Sequence, residues 1–312
     1  MSLQSVKYLF KTILLTLVFS FLLDKVAFFV LNNMSDKVYT GQSIGKLNHY
    51  IKIKDSLDFL VFGSSRSNHS IDPSVITPKS FNMGMDGTKI AYASTLVKLL
   101  SDNEQVVLVH IDTENAFNKE YRGKDILDLS KKYHRNEIIK TEIESLEQEN
   151  LVQKFYWSLA YNGIVLGIVK NYFKPNYNYK AYNGYDPIYV SPIQNKIFEN
   201  LLREEDSKDF TCSNELILNP LYDRYLNDLK EFSLINNKKL FFFTSPLYDD
   251  SCKLDNNLVA RIMQSKDLTY FDLTDFFKQN NSLEYWKDNS HISDKGAEIF
   301  SAEIKSLVEN HN

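Results

Sequence analysis

The segment DFLVFGSSRSNHSIDP, Asp58 to Pro73, decides how the rest of the chain is read. Four apolar residues, Phe59 to Phe62, end abruptly in Gly63, two serines and Arg66. A short continuous apolar run matches a strand buried on both faces, the habit of parallel sheets. A glycine at its end lets the chain turn sharply, and a serine just beyond is a common helix N-cap. The same place also exposes a hydroxyl beside backbone N–H groups that lack intrahelical acceptors. Two readings follow: a plain strand-to-helix turn, or a turn that presents a nucleophile.

Outward from this segment, strand and helix patterns alternate. FNMG (81–84) predicts a short second strand, TKIAYASTLVKLL (88–100) a helix, and QVVLVHID (105–112) a Val-rich strand. KKLFFFTSP (238–246) is a fourth strand stopped by Pro246, and LTYFDLTDFF (268–277) contains a fifth. Helical segments at 216–235 and 253–265 separate the last three, and a final helix runs from Asp294 to Glu309. Such alternation implies βαβ units, hence an α/β fold with a doubly wound parallel sheet whose ligands sit at the carboxyl ends of the strands.

The chain has 312 residues, 43% of them hydrophobic and 24% charged, enough for one large domain or two modest ones. A net charge of −4 without a basic block argues against nucleic acid as a partner. Cys212 and Cys252 fit no metal or redox spacing; a disulfide and two buried thiols are equally compatible with their positions. With no metal-ligand cluster and no phosphate-binding glycine loop, the sequence implies neither metal nor cofactor.

The N-terminus departs from this ordinary composition. TILLTLVFSFLL (Thr12–Leu23) carries no charge, and after Asp24-Lys25 the run continues to Leu31. A cleaved leader would need a small-x-small site, which does not follow promptly. A surface helix would be apolar on one face only, and this one is apolar all round. A span over residues 8–31 matches the roughly 20 residues that cross a bilayer, with Lys11 snorkelling and Asp24-Lys25 near the far interface. Lys7 and Lys11 place the N-terminus in the cytoplasm and the body outside it, periplasmic or otherwise extracytoplasmic. The expected organisation is an anchor at 8–31, a connector at 32–56 with one short helix, and a domain at 57–312.

Residues 113–200 break the βα rhythm and read as a helical or irregular insertion. NEIIKTEIESLEQENLVQKF (136–155) is most simply a solvated helix, whereas NYFKPNYNYKAYNGYDPIYV (171–190) is dense in Tyr and Asn. The latter reads either as a surface excursion whose rings pack on the domain or as a lid that offers stacking faces to a sugar.

Two further stretches bear on the chemistry. In YWKDNSHISDKGAEIF (285–300), Asp288 and His291 are separated by two residues in a loop just before the last helix. A local Asp-x-x-His turn places the carboxylate against one ring nitrogen and leaves the other to accept a proton from a serine. In FNMGMDG (81–87), two glycines near a strand end serve as turn punctuation or allow a backbone N–H to approach a reacting atom. Gly63-Ser64-Ser65-Arg66-Ser67 fails the Gly-x-Ser-x-Gly elbow of α/β-hydrolases at its last position. His69 and His110 read as structural histidines rather than second bases, and Arg66 as solvent-facing rather than as a grip on an anionic substrate.

As a set, GSSRS, FNMGMDG and DNSHISDKG resemble the first, second and last sequence blocks of the SGNH (GDSL-type) hydrolase superfamily, spread over roughly residues 57–305. The anchor and the Gly-Ser-Ser form resemble its membrane-anchored envelope members, relatives of the teichoic acid D-alanyl transfer protein and of polysaccharide O-acetyltransferases. The resemblance implies a three-layer, flavodoxin-like sheet fold, with Ser65 as nucleophile, His291 as general base and Asp288 orienting it. It further implies an oxyanion hole from the N–H groups of Ser65 and Gly84, with Asn115 as the candidate third donor in HIDTENAF, where the family's Asn has no clear match. The implied activity is a serine esterase or O-acyltransferase acting on acyl esters, acetyl foremost, of an envelope polysaccharide or other acylated glycan, with a membrane acyl-donor protein as a partner. The alternative is a catalytically inactive binding or assembly subunit of the same fold.

Overall fold

The computed structural model describes residues 2–39, 41, 44–175, 181–205, 216–250 and 253–311. Cys212 and Cys252 lie outside the described residues, as do Tyr177 and Tyr179 of the Tyr/Asn-rich stretch. The chain divides into two compact units, residues 1–49 with 129–179, and residues 50–128 with 180–312. Residues 129–179, expected as part of an insertion into the body, thus group with the N-terminal helix.

The larger unit is α/β, built on five parallel strands in the order β2-β1-β3-β4-β5. They are β1 (Phe59–Phe62), β2 (Ser80–Asn82), β3 (Gln105–His110), β4 (Lys238–Thr244) and β5 (Thr269–Asp272). All four side chains of β1 are buried, so its sequence shows no alternation. One sheet face, carrying Phe59, Val61, Leu108, Phe241 and Phe243, packs with Phe300, Ile304 and Val308 of the last helix, Asp294–His311. Leu60, Phe62, Val107, Val109 and Phe242, of the opposite parity, are buried as well. There Tyr50 sets its ring edge-on to Phe62 and donates its hydroxyl to the Leu96 carbonyl at 2.7 Å. Each such large side chain contributes about 1.5–3 kcal/mol by leaving water.

The register aligns the strand ends that matter. Phe62 pairs with Val109, and His110 with Phe243, so the turns after β1, β3 and β4 open on one edge of the sheet. Gly63 makes the first of these turns at φ +146°, where a Cβ would stand 2.5 Å from the His110 Cβ and 2.8 Å from Ser67 Oγ. Residues 181–189 lie beside β2: Asn82 N–H donates to the Asn183 carbonyl at 2.8 Å, and Tyr182 packs edge-on against Phe81.

The smaller unit is helical. Its long helix, Leu3–Ser35, exposes apolar side chains on all sides up to Leu23 and buries Asp24, Phe28, Asn32 and Ser35 along one face. It is long and apolar enough to cross a membrane. The expected single helix over 136–155 is two, Glu137–Ser145 and Leu151–Phe155. Glu147 at φ +53° ends the first, and the Asn150 side chain caps the second by accepting from the Val152 N–H.

Gly63 ties the turn to the sheet, which gives a direct test. Gly63→Ala should lower the unfolding free energy of the full chain by roughly 2–5 kcal/mol, from the positive φ and the crowding against His110 together. Urea unfolding in detergent micelles measures it, and an unchanged midpoint would show that the turn tolerates a Cβ.

Candidate active site

Ser65 opens the short helix Ser65–Asn68 directly after the Gly63 turn. Ser64 is its N-cap, and its hydroxyl accepts from the Arg66 N–H at 3.3 Å. Capping therefore belongs to Ser64, which leaves the Ser65 hydroxyl free of that task. Ser64 holds the turn, and Ser65 turns its hydroxyl towards the last loop of the domain.

That loop is a small hairpin. Trp286 and Ile292 form an antiparallel bridge, Lys287 N–H donates to the His291 carbonyl at 2.9 Å, and Ser293 N–H to the Tyr285 carbonyl at 2.7 Å. Trp286, fully buried, roots it against Phe277 and Tyr248 and donates its indole N–H to Asn281 Oδ1 at 2.6 Å. Gly296 lets the last helix start close beneath it, since a Cβ there would meet the Tyr285 carbonyl at 2.6 Å. Asp288 and His291 sit at the hairpin tip.

There Ser65 Oγ lies 2.9 Å from His291 Nε2, and His291 Nδ1 lies 2.9 and 3.1 Å from the two Asp288 oxygens. Half-burial acts to raise the Asp288 carboxyl, but hydrogen bonds from the His291 ring and from the Ser290 and His291 N–H groups outweigh it. They hold the carboxyl well below the usual range. An ionised carboxylate only accepts, so Nδ1 carries the ring proton and the Nε2 lone pair faces the serine hydroxyl.

Ser65 and His291 line a cleft of about 760 Å³ at the carboxyl edge of the sheet, with Asp288 behind His291. Its walls include Gly87, Lys89, Asn115 and Asn289, with the carboxylates of Asp112, Glu114, Asp249, Asp250 and Asp255. Asp250 is paired with Lys253 and Asn256. Of the expected oxyanion donors, Ser65 lines this cleft, and as the first N–H of a helix it has no intrahelical acceptor. Gly84 is elsewhere: it is buried, and its N–H donates to Asn82 Oδ1 at 2.8 Å. Its lack of a Cβ makes room for Ser67 and Asn68, whose atoms would lie 2.3–2.9 Å from one. Asn115 lines the cleft, but its amide donates to Asp112 Oδ2 at 2.6 Å and its carbonyl oxygen accepts from Lys89.

Sequence reasoning took Gly84 rather than Gly87 as the oxyanion glycine, and passed over Ser245. Gly87, at φ +77°, lines the cleft with open space where a Cβ would be. Ser245 follows β4 and accepts from Arg66 Nε at 2.9 Å through its hydroxyl and from Arg66 Nη2 at 2.7 Å through its carbonyl. Arg66 is therefore pinned across the sheet edge rather than turned to solvent. His110 lies buried between Ser245 Oγ (3.2 Å) and Ser64 Oγ (3.5 Å). Burial, then the Arg66 charge, pushes it well below its ordinary value and keeps it neutral. The position of Ser245 at a strand's carboxyl end was the one available signal for it.

His69 pairs its Nε2 with Asp86 at 3.0 Å, and its ring stands edge-on to His291. Burial acts downward, but the Asp86 carboxylate and the Asp186 carbonyl raise its pKa above 6.5. None of the described tyrosines in 171–190 lines the cleft.

Compared with known proteins, the chain matches no protein-family model and no curated protein.

The raised pKa of His69 fixes the sign of a pH effect. Its ion pair stabilises the fold fully below about pH 6.5, the unfolded value, and that contribution disappears as pH rises through the higher folded value. Thermal melts of His69→Gln against wild type should therefore differ more at pH 5.5 than at pH 8.5, by about a few degrees. An equal difference at both would contradict a charged His69.

Proposed function

We propose that this chain is a membrane-anchored serine esterase or O-acyltransferase acting through an acyl-Ser65 intermediate. The observation that carries the reading is the line of hydrogen bonds from Ser65 Oγ through His291 to Asp288, at 2.9 Å each, opening on a cleft at the strand ends. In the proposed first step, His291 Nε2 takes the Ser65 proton as Oγ attacks the acyl carbon. The ester C–O bond then breaks and His291 returns that proton to the leaving alcohol. In the second step His291 deprotonates water or an acceptor hydroxyl, which takes the acyl group and restores Ser65. The N–H groups of Ser65 and Gly87 are the oxyanion donors this reading favours, because both residues line the cleft.

The SGNH superfamily, with its three-layer sheet arrangement, is the family we propose for the chain. Supporting it are the parallel sheet order β2-β1-β3-β4-β5, a serine directly after β1, and an Asp-x-x-His just before the last helix. We further propose that Leu3–Ser35 anchors the chain with its N-terminus in the cytoplasm and its body beyond the membrane, near an envelope glycan. Five carboxylates against the two cations Arg66 and Lys89 along the cleft favour neutral, hydroxyl-rich acceptors over polyanionic ones.

The second reading, an inactive binding or assembly subunit, is favoured by one feature: the Gly84 N–H and the Asn115 amide are already bonded within the protein. Hydrolysis of p-nitrophenyl acetate by the full chain separates the two. Ser65→Ala and His291→Ala should fall to background, and Asp288→Asn by roughly 10³–10⁴-fold, since the wrong tautomer then faces the serine. Wild-type turnover equal to that of Ser65→Ala would leave the binding role.

A further inference from the structure

The smaller unit contains an arrangement that an ordinary membrane anchor does not require. Asp24 and Lys25 interrupt the apolar helix Leu3–Ser35, yet Asp24 is only 6% exposed. Its carboxylate accepts from the Trp157 N–H at 2.8 Å, the Ser158 N–H at 2.9 Å and the Ser158 hydroxyl at 2.6 Å. Lys25 pairs with Asp24 at 3.0 Å, donates to the Phe155 carbonyl, and lies 4.0 Å above the Trp157 ring. In water such a pair needs no cover. In a low-dielectric surrounding it needs one that supplies every hydrogen bond.

The depth of the cover is fixed by a second contact. Tyr156 Oη lies 2.8 Å from Ser20 Oγ, one helical turn further into the apolar run than Asp24, or about 6 Å along the axis. The segment that follows the helix Leu151–Phe155 therefore descends beside the anchor instead of ending above it. Its outer side is apolar: Leu151, Val152 and Phe155 are 69%, 56% and 63% exposed. Leu151 and Phe155 are four apart, so they share one face of that helix with Val152 beside them. Val26 and Phe29 of the anchor are exposed as well, so apolar surface continues past the charged pair.

We propose that Leu151–Tyr161 is a membrane-interface element, with Leu151, Val152 and Phe155 inserted into the lipid around the anchor and Tyr156 and Trp157 at headgroup depth. The occupant of this face is the same bilayer that surrounds Leu3–Ser35, because the contacts to Ser20, Asp24 and Lys25 place it at that depth. The proposal rests on the anchor spanning a bilayer and is independent of the chemistry at Ser65.

The test uses the full chain in phosphatidylcholine–phosphatidylglycerol vesicles whose lipids are brominated either near the headgroup end or near the methyl end of the acyl chains. Two reporters, Phe155→Trp and Phe19→Trp, are read against the emission of the native Trp157 and Trp286. The Phe155→Trp increment should fall roughly twofold with shallow bromines and less with deep ones. The Phe19→Trp increment should be quenched strongly by deep bromines. Quenching of Phe19→Trp without quenching of Phe155→Trp would overturn the proposal and give the face to water or a protein partner. Quenching of neither would overturn the membrane span, and this proposal with it. Val152→Trp as a second reporter guards against a Phe155 variant that fails to fold.

Discussion

One hydrogen bond, from Ser65 Oγ to His291 Nε2, joins residues 226 positions apart and gives the larger unit its chemical meaning. It forms because parallel strands bring their carboxyl ends to one edge, so the turn after β1 and the hairpin before the last helix meet there. Each partner is held by something more rigid than itself. The serine rides on a turn that only glycine fits at Gly63, and the histidine on a hairpin rooted by a fully buried Trp286. Asp288, bonded to both the ring and the backbone of its own turn, fixes the tautomer.

Around that bond, the neighbouring histidines are each held by other partners. His110, the nearest strand histidine, is buried and neutral between two serines, and its Nε2 faces a hydroxyl that already accepts from Arg66. His69 is held by Asp86 and so leans towards its charged form. His291 sets its Nε2 2.9 Å from the Ser65 hydroxyl, whereas His110 meets the Ser64 hydroxyl only at 3.5 Å.

The strands were legible because parallel sheets are written as continuous apolar runs, and FLVF and QVVLVH say so directly. Ser65, Asp288 and His291 were legible because a serine after a strand and an Asp-x-x-His before a helix are local patterns. The oxyanion side was not. FNMGMDG offers two glycines, and which one faces the cleft depends on how Ser67 and Asn68 pack against Gly84, a contact between segments that sequence does not record. Asn115 is similar: its position on the loop was readable, but not its engagement by Asp112 and Lys89. Residues 129–179 looked like an excursion of the body because their partner, the buried stripe Asp24, Phe28, Asn32 and Ser35, lies more than a hundred residues earlier, hidden inside a membrane-type helix.

The central claim is that Ser65 is activated by His291. Treating the full chain with a fluorophosphonate and locating the adduct by peptide mass spectrometry tests it without knowledge of the substrate. The account predicts phosphonylation of Ser65, and not of Ser64, in wild type and its loss in His291→Ala. A folded wild-type protein that carries no adduct on Ser65, or one that survives His291→Ala unchanged, would contradict it.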